Sequence, residues 1–150
     1  MALEKGTKAP DFILPSTSGK QFHLSKDFGG KACIIYFYPK DFTKGCTAEA
    51  CEFRDHFESF RELDIPIVGI SRDTISSHQK FKKEHRLPFE LLSDAKGGVC
   101  EDYDALIPIV RMPKRITYLL NKNHRIEAVF QDMFDAKSHI SKMVEEVKNS

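Results

Sequence analysis

The seven-residue run ACIIYFY, residues 32–38, limits the fold more than any other stretch of the chain. It is apolar throughout, rich in β-branched and aromatic residues, and shows no polar alternation. Such a run suits a strand covered on both faces. Pro39 closes it, because proline cannot donate to a ladder. A second run, IPIVGIS at 65–71, has the same character. Between them lies a helical pattern, predicted over residues 45–63. Strand, helix and strand in that order imply parallel pairing through a crossover.

Downstream, Asp73 or Thr74 can cap a helix reaching about Arg86, ahead of Pro88. FELLSD (89–94) reads as a short strand, and a short helix is expected near 99–105. RITYLL and RIEAVF flank NKNH, which predicts a hairpin over 115–130 with Asn123 as its left-handed residue. A last helix, capped by Asp135, would carry the stripe Ala136, Ile140, Met143, Val144 and Val147. Residues 1–27 read as an extended arm or small hairpin. The sum is an α/β chain with a mixed sheet and helices on both faces, of which the thioredoxin-like arrangement is one example. No repeat or linker interrupts it, so a single domain over 1–150 is expected.

Lys and Arg number 23 against 22 Asp and Glu. That balance gives no reason to expect nucleic acid or an anionic membrane as partner. No apolar run approaches the ~20 residues of a bilayer span. The opening MALEKGTKAPDF lacks an apolar h-region, which argues for a cytoplasmic chain. Four cysteines in such a setting point to catalytic, metal-binding or buried thiols rather than a disulfide framework.

Two of those cysteines stand in PKDFTKGCTAEAC, residues 39–51. At ~100° per residue, Ala50, Phe53, Phe57 and Phe60 fall within about 40° of Cys46. Cys46 therefore belongs to the core-facing stripe. Cys51 falls about 140° away, beside Asp55, Glu58 and Glu62 on the polar side. On a wound helix their Cα atoms would be about 8.7 Å apart. A disulfide tolerates up to about 7 Å with side chains converging. A Cys46–Cys51 bond therefore requires the first turns of the helix to unwind.

Cys46 would occupy the first turn, where free N–H groups favour an anion. Thr43 is a natural N-cap, Gly45 permits close approach, and Lys44 adds positive charge. Acidity alone does not make a fast thiol. Lowering a pKa from about 8.5 to about 6 raises the thiolate fraction roughly tenfold, and a Brønsted slope of ~0.4–0.5 removes about as much nucleophilicity. Donors aimed at the leaving oxygen are needed as well: backbone N–H groups, the Thr43 hydroxyl, and an arginine that spacing alone does not select.

Pro39, Thr43 and Cys46 match the P-x-x-x-T-x-x-C pattern of the peroxiredoxins, and FYPKDFTKGCTAEACEFRD resembles the bacterioferritin-comigratory-protein, or PrxQ, subfamily. GTKAPDFILPSTSGKQFHLSKDFGGK and RITYLLNKNHRI extend the resemblance over nearly the whole chain. It implies a thioredoxin-like fold and a thiol peroxidase acting on hydrogen peroxide and small organic hydroperoxides, without metal or organic cofactor. Cys46 would be the peroxidatic cysteine and Cys51 the resolving one, joined in an intramolecular disulfide that a thioredoxin-type reductant reopens. Thr43 would hold the peroxide, Pro39 would shield the site, and Arg115 would pair with the thiolate. A monomer or weak dimer is implied. Lys44 stands where many members have proline, and NKNH replaces a common Asp-Gly turn.

Plainer readings exist for each residue. Thr43 can be a cap only, Arg115 a surface arginine, and Pro39 a strand terminator. Cys33 reads as inert core and Cys100 as a short-helix residue, with a reserve resolving role as its alternative. His56, His78 and His85 lack metal spacing, and zinc at Cys46 and Cys51 would need a second ligand pair. Neither a complete P-loop nor a G-x-G-x-x-G is present. A disulfide reductase would ordinarily use C-x-x-C. A redox-sensing or holdase module would oxidise once, whereas a peroxidase turns over.

Overall fold

In the computed structural model, which describes residues 2–131, 140 and 142–145, the chain opens with an antiparallel ribbon, β1 (Ile13–Pro15) and β2 (Gln21–His23), and one helical turn, α1 (Leu24–Asp27). There follow β3 (Cys33–Phe37), α2 (Lys44–Asp55), α3 (Phe57–Glu62), β4 (Ile67–Ser71), α4 (Ile75–His85), β5 (Glu90–Ser93), α5 (Gly98–Asp102), β6 (Ile116–Leu120) and β7 (Ile126–Phe130). The sheet runs β5-β4-β3-β6-β7. β3 pairs parallel with β4 and antiparallel with β6, so the sheet is mixed as expected.

β3 is central and buried on both sides, which explains its unbroken apolar run. Cys33, Ile35 and Phe37 pack with Phe12, Leu24 and Tyr103 on one face. Ile34 and Tyr36 pack with Ala50, Phe53, Phe60 and Phe81 on the other. This alternation is the period of two of a strand. Burying one such aromatic side chain stabilises by roughly 1.5–3 kcal/mol. Gly69, opposite Tyr36 in the parallel register, makes room for that ring: a Cβ there would stand 2.7 Å from Tyr36 Cζ.

Three sequence expectations change. The helix predicted over 45–63 breaks at His56, whose φ of −102° and ψ of 7° leave the helical basin. Its ring nitrogen Nδ1 lies 3.0 Å from the Glu52 carbonyl that its own N–H also uses. In the hairpin the left-handed residue is His124, not Asn123. The Asn121 side chain accepts from the Asn123 and Arg125 N–H groups, and the buried His124 ring bonds the Phe28 carbonyl, 2.7 Å away. The N-terminal arm includes α1, which was not expected. Ile140, Met143 and Val144 are buried as the C-terminal stripe requires, while Asp135, Ala136 and Val147 lie outside the described residues. Among the described residues no helix is long and apolar enough to cross a membrane.

Candidate active site

β3 ends where the site begins. Its chain passes through the loop 38–43 into α2, and Cys46 is in the first turn of that helix. The antiparallel register sets Phe37 against Ile116, so Arg115, one residue before β6, emerges beside the end of β3. Its Nη2 donates to Cys46 Sγ at 3.2 Å, and its Nη1 donates to Glu49 Oε1 at 2.8 Å. Guanidinium, thiol and carboxylate are all buried. The close fit also constrains Gly45, where a Cβ would lie 3.1 Å from Arg115 Nη2.

Glu49 was not singled out in the sequence. It had a signal: a carboxylate three residues after Cys46, flanking the same apolar stripe, must find a cation when buried. Burial pushes its carboxyl up to about 7, against the opposing pull of the Arg115 charge and hydrogen bond.

The loop before α2 is held by a second polar cluster. Asp41 is buried and accepts from the Tyr38 hydroxyl at 2.6 Å and from Ser77 Oγ at 2.8 Å. His78 Nδ1 lies 2.7 Å from the same carboxylate, and its Nε2 lies 2.9 Å from the Leu92 carbonyl. The Asp41 N–H donates to Asp73 Oδ2 at 2.9 Å. Ligand-capable atoms of Asp41, Asp73 and His78 lie within 4.8 Å of one another. Their hydrogen bonds fasten the loop to the start of α4.

Thr43 is the N-cap by backbone position, but its side chain makes no capping bond. The hydroxyl donates instead to the Lys40 carbonyl at 3.0 Å, closing the loop on itself, and the residue is exposed. Pro39 is half-buried and lines a shallow cleft of about 260 Å³ with Lys40, Val110, Met112 and Pro113.

Cys51 is not on a fully wet face. It is half-buried against the end of α4, its Sγ 3.9 Å from His85 Nδ1. All four cysteines are free. Burial pushes the Cys33 thiol up to about 12. The Cys100 thiol is also raised, by burial first and by Asp94 next. Both are wholly buried in the core cluster on the face of the sheet opposite α2.

Residues 5–129 match the AhpC/TSA family. The chain is 40% identical to peroxiredoxin Bcp of Bacillus subtilis over 155 aligned residues, covering 99% of this chain and 98% of that relative. It is 40% identical over 139 residues to the chloroplastic peroxiredoxin Q of Oryza sativa, which covers 92% of this chain. It spans 64% of the length of that rice relative. Among solved structures, peroxidoxin BcpB of Mycobacterium tuberculosis superposes with a TM-score of 0.91 at 31% identity, covering 98% of this chain and 97% of that one.

Proposed function

Because the chain belongs to the AhpC/TSA family, as a peroxiredoxin of the Q and Bcp type, we propose that it is a thiol peroxidase whose reacting atom is Cys46 Sγ. The observation that carries this assignment is the Arg115 Nη2 contact to that sulfur at 3.2 Å. A guanidinium in this position can pair with a thiolate and then with the oxygen that departs. The sulfur attacks the near oxygen of the peroxide, the O–O bond breaks, and the far oxygen leaves as water or an alcohol once protonated. Cys46 is left as a sulfenic acid. Hydrogen peroxide and small organic hydroperoxides are the substrates.

Glu49 fixes the guanidinium through a second hydrogen bond and neutralises part of its charge. Thr43 and Pro39 form the rim, with the Thr43 hydroxyl available to the peroxide once it releases Lys40. Cys51 then condenses with the sulfenic acid, releasing water and forming the Cys46–Cys51 disulfide. α2 is wound in the reduced state with both thiols free, so the spacing of the two cysteines makes partial unwinding part of the cycle. A thioredoxin-type protein supplies two electrons to reopen the bond. The same reading has one peroxiredoxin domain over 1–150, a cytoplasmic location, and a monomer or weak dimer.

One equivalent of hydrogen peroxide tests this. Both cysteines lie in the segment 45–54, which trypsin releases as one peptide because Lys44 and Arg54 bound it. That peptide should lose two hydrogen masses, and cleavage at Glu49 should leave its halves joined until a reductant is added. An unaltered peptide, or sulfur linked to Cys33 or Cys100, would overturn the proposed cycle.

A further inference from the structure

We propose that His85 is the base that removes the proton from Cys51 when the two cysteines join. This rests on Cys51 being the resolving residue. The imidazole Nδ1 lies 3.9 Å from Cys51 Sγ, a loose resting-state spacing of the kind that tightens as a reaction proceeds. Imidazole can accept a proton near neutral pH, which the guanidinium beside Cys46 cannot do.

Two further contacts hold the pair. His85 is the last residue of α4, ended by Arg86 at a φ of 52°. Arg54, one turn after Cys51, donates from Nη1 to the His85 carbonyl at 2.8 Å. Phe81 meets the imidazole edge-on, with ring centroids 5.1 Å apart. From α2 the charged neighbour of His85 is Arg54, whose Nε holds Asp55 at 3.0 Å. Half-burial of His85 lets the proton pass on to water. Arg54 also ties the Cys51 end of α2 to α4, so the turn that unwinds is the one carrying Cys46.

The chemistry balances. Cys51 S–H gives its proton to Nδ1, and the thiolate attacks the sulfenic sulfur of Cys46. The S–S bond forms as the S–O bond breaks, and the hydroxide leaves as water after taking a proton back. Cys51 is oxidised and the sulfenic sulfur is reduced. The sulfenic acid made by peroxide is the oxidant.

The test follows single turnover with hydrogen peroxide over about pH 5.5–9, trapping sulfenic acid with a 1,3-dione and reading the disulfide by mass. In His85→Gln, sulfenic acid should form at the unaltered rate. Disulfide closure should slow about 100-fold near pH 7 and recover toward the alkaline end of the range, where the thiol needs no base. Added imidazole should restore closure in His85→Ala. In the unaltered protein, closure should slow as the solution is made acidic, a readout that needs no variant.

Closure in His85→Gln at the unaltered rate, or slowed equally at every pH, would overturn the role of His85. Unaltered protein that oxidises Cys46 but never closes the disulfide would instead overturn the reading of Cys51.

Discussion

The two thiols of α2 sit five residues apart in opposite surroundings. Cys46 is buried in the core stripe and faces a guanidinium, a donor that carries positive charge at any working pH. Cys51 is half-buried at the helix surface and faces an imidazole, which both gives and takes protons. A fixed cation suits a sulfur that must hold charge while an oxygen departs. A titratable nitrogen suits a sulfur that must lose its proton at a later moment. In the proposed cycle, one helix would separate two steps by environment rather than by distance along the chain.

Four substitutions can break or sharpen this contrast, all read as the rate of the first oxidation by peroxide in single turnover. Cys46→Ser should lower it by at least about 10⁴-fold, because the nucleophile is gone. Retained activity would remove Cys46 from the site. Arg115→Ala should slow it about 10²–10³-fold while the chain still folds, since the lost donors act on the reacting oxygens. Unchanged kinetics would make the 3.2 Å contact a packing detail.

Glu49→Gln should slow the step about tenfold, by loosening the guanidinium without removing it. It has a second readout in stability. The Glu49 carboxyl is raised by burial to about 7, so the folded state binds its proton more tightly than the unfolded chain does. The associated stability is full below about pH 4.5 and is lost as pH rises through about 7. Glu49→Gln should flatten that slope in denaturant titrations, and an unchanged slope would reject the assignment. Cys51→Ser should alter the first oxidation by no more than about twofold, yet leave sulfenic acid in place of the disulfide. A large effect on the first step would merge the two environments that the contrast keeps apart.

Much of this arrangement was readable in the chain itself. The run at 32–38 announces its strand because it is covered on both faces, and the stripe through Ala50 and Phe53 places Cys46 inward. Arg115 was different: only the pairing of Phe37 with Ile116 brings it to Cys46, and a register is a tertiary fact. At His56 the chain leaves the helical basin while ring and backbone N–H share the Glu52 carbonyl, which periodicity does not report. Asp41 comes from the loop before α2, and Ser77 and His78 from α4, so their meeting leaves no local pattern. Cys51 was read as solvent-facing because helical geometry describes one helix and is silent on the neighbour that covers it.

The Asp41 cluster has a mechanical consequence. It fastens the chain to α4 ahead of Cys46, and Arg54 fastens it to α4 again after Cys51. α4 would therefore act as a splint across the stretch that the proposed cycle unwinds. A melted segment with both ends pinned gains little entropy, and loops of about ten residues close in roughly 10–100 ns. Once reduced, the coil should re-form almost at once, so in the proposed cycle the pace would be left to chemistry and to the encounter with the reductant.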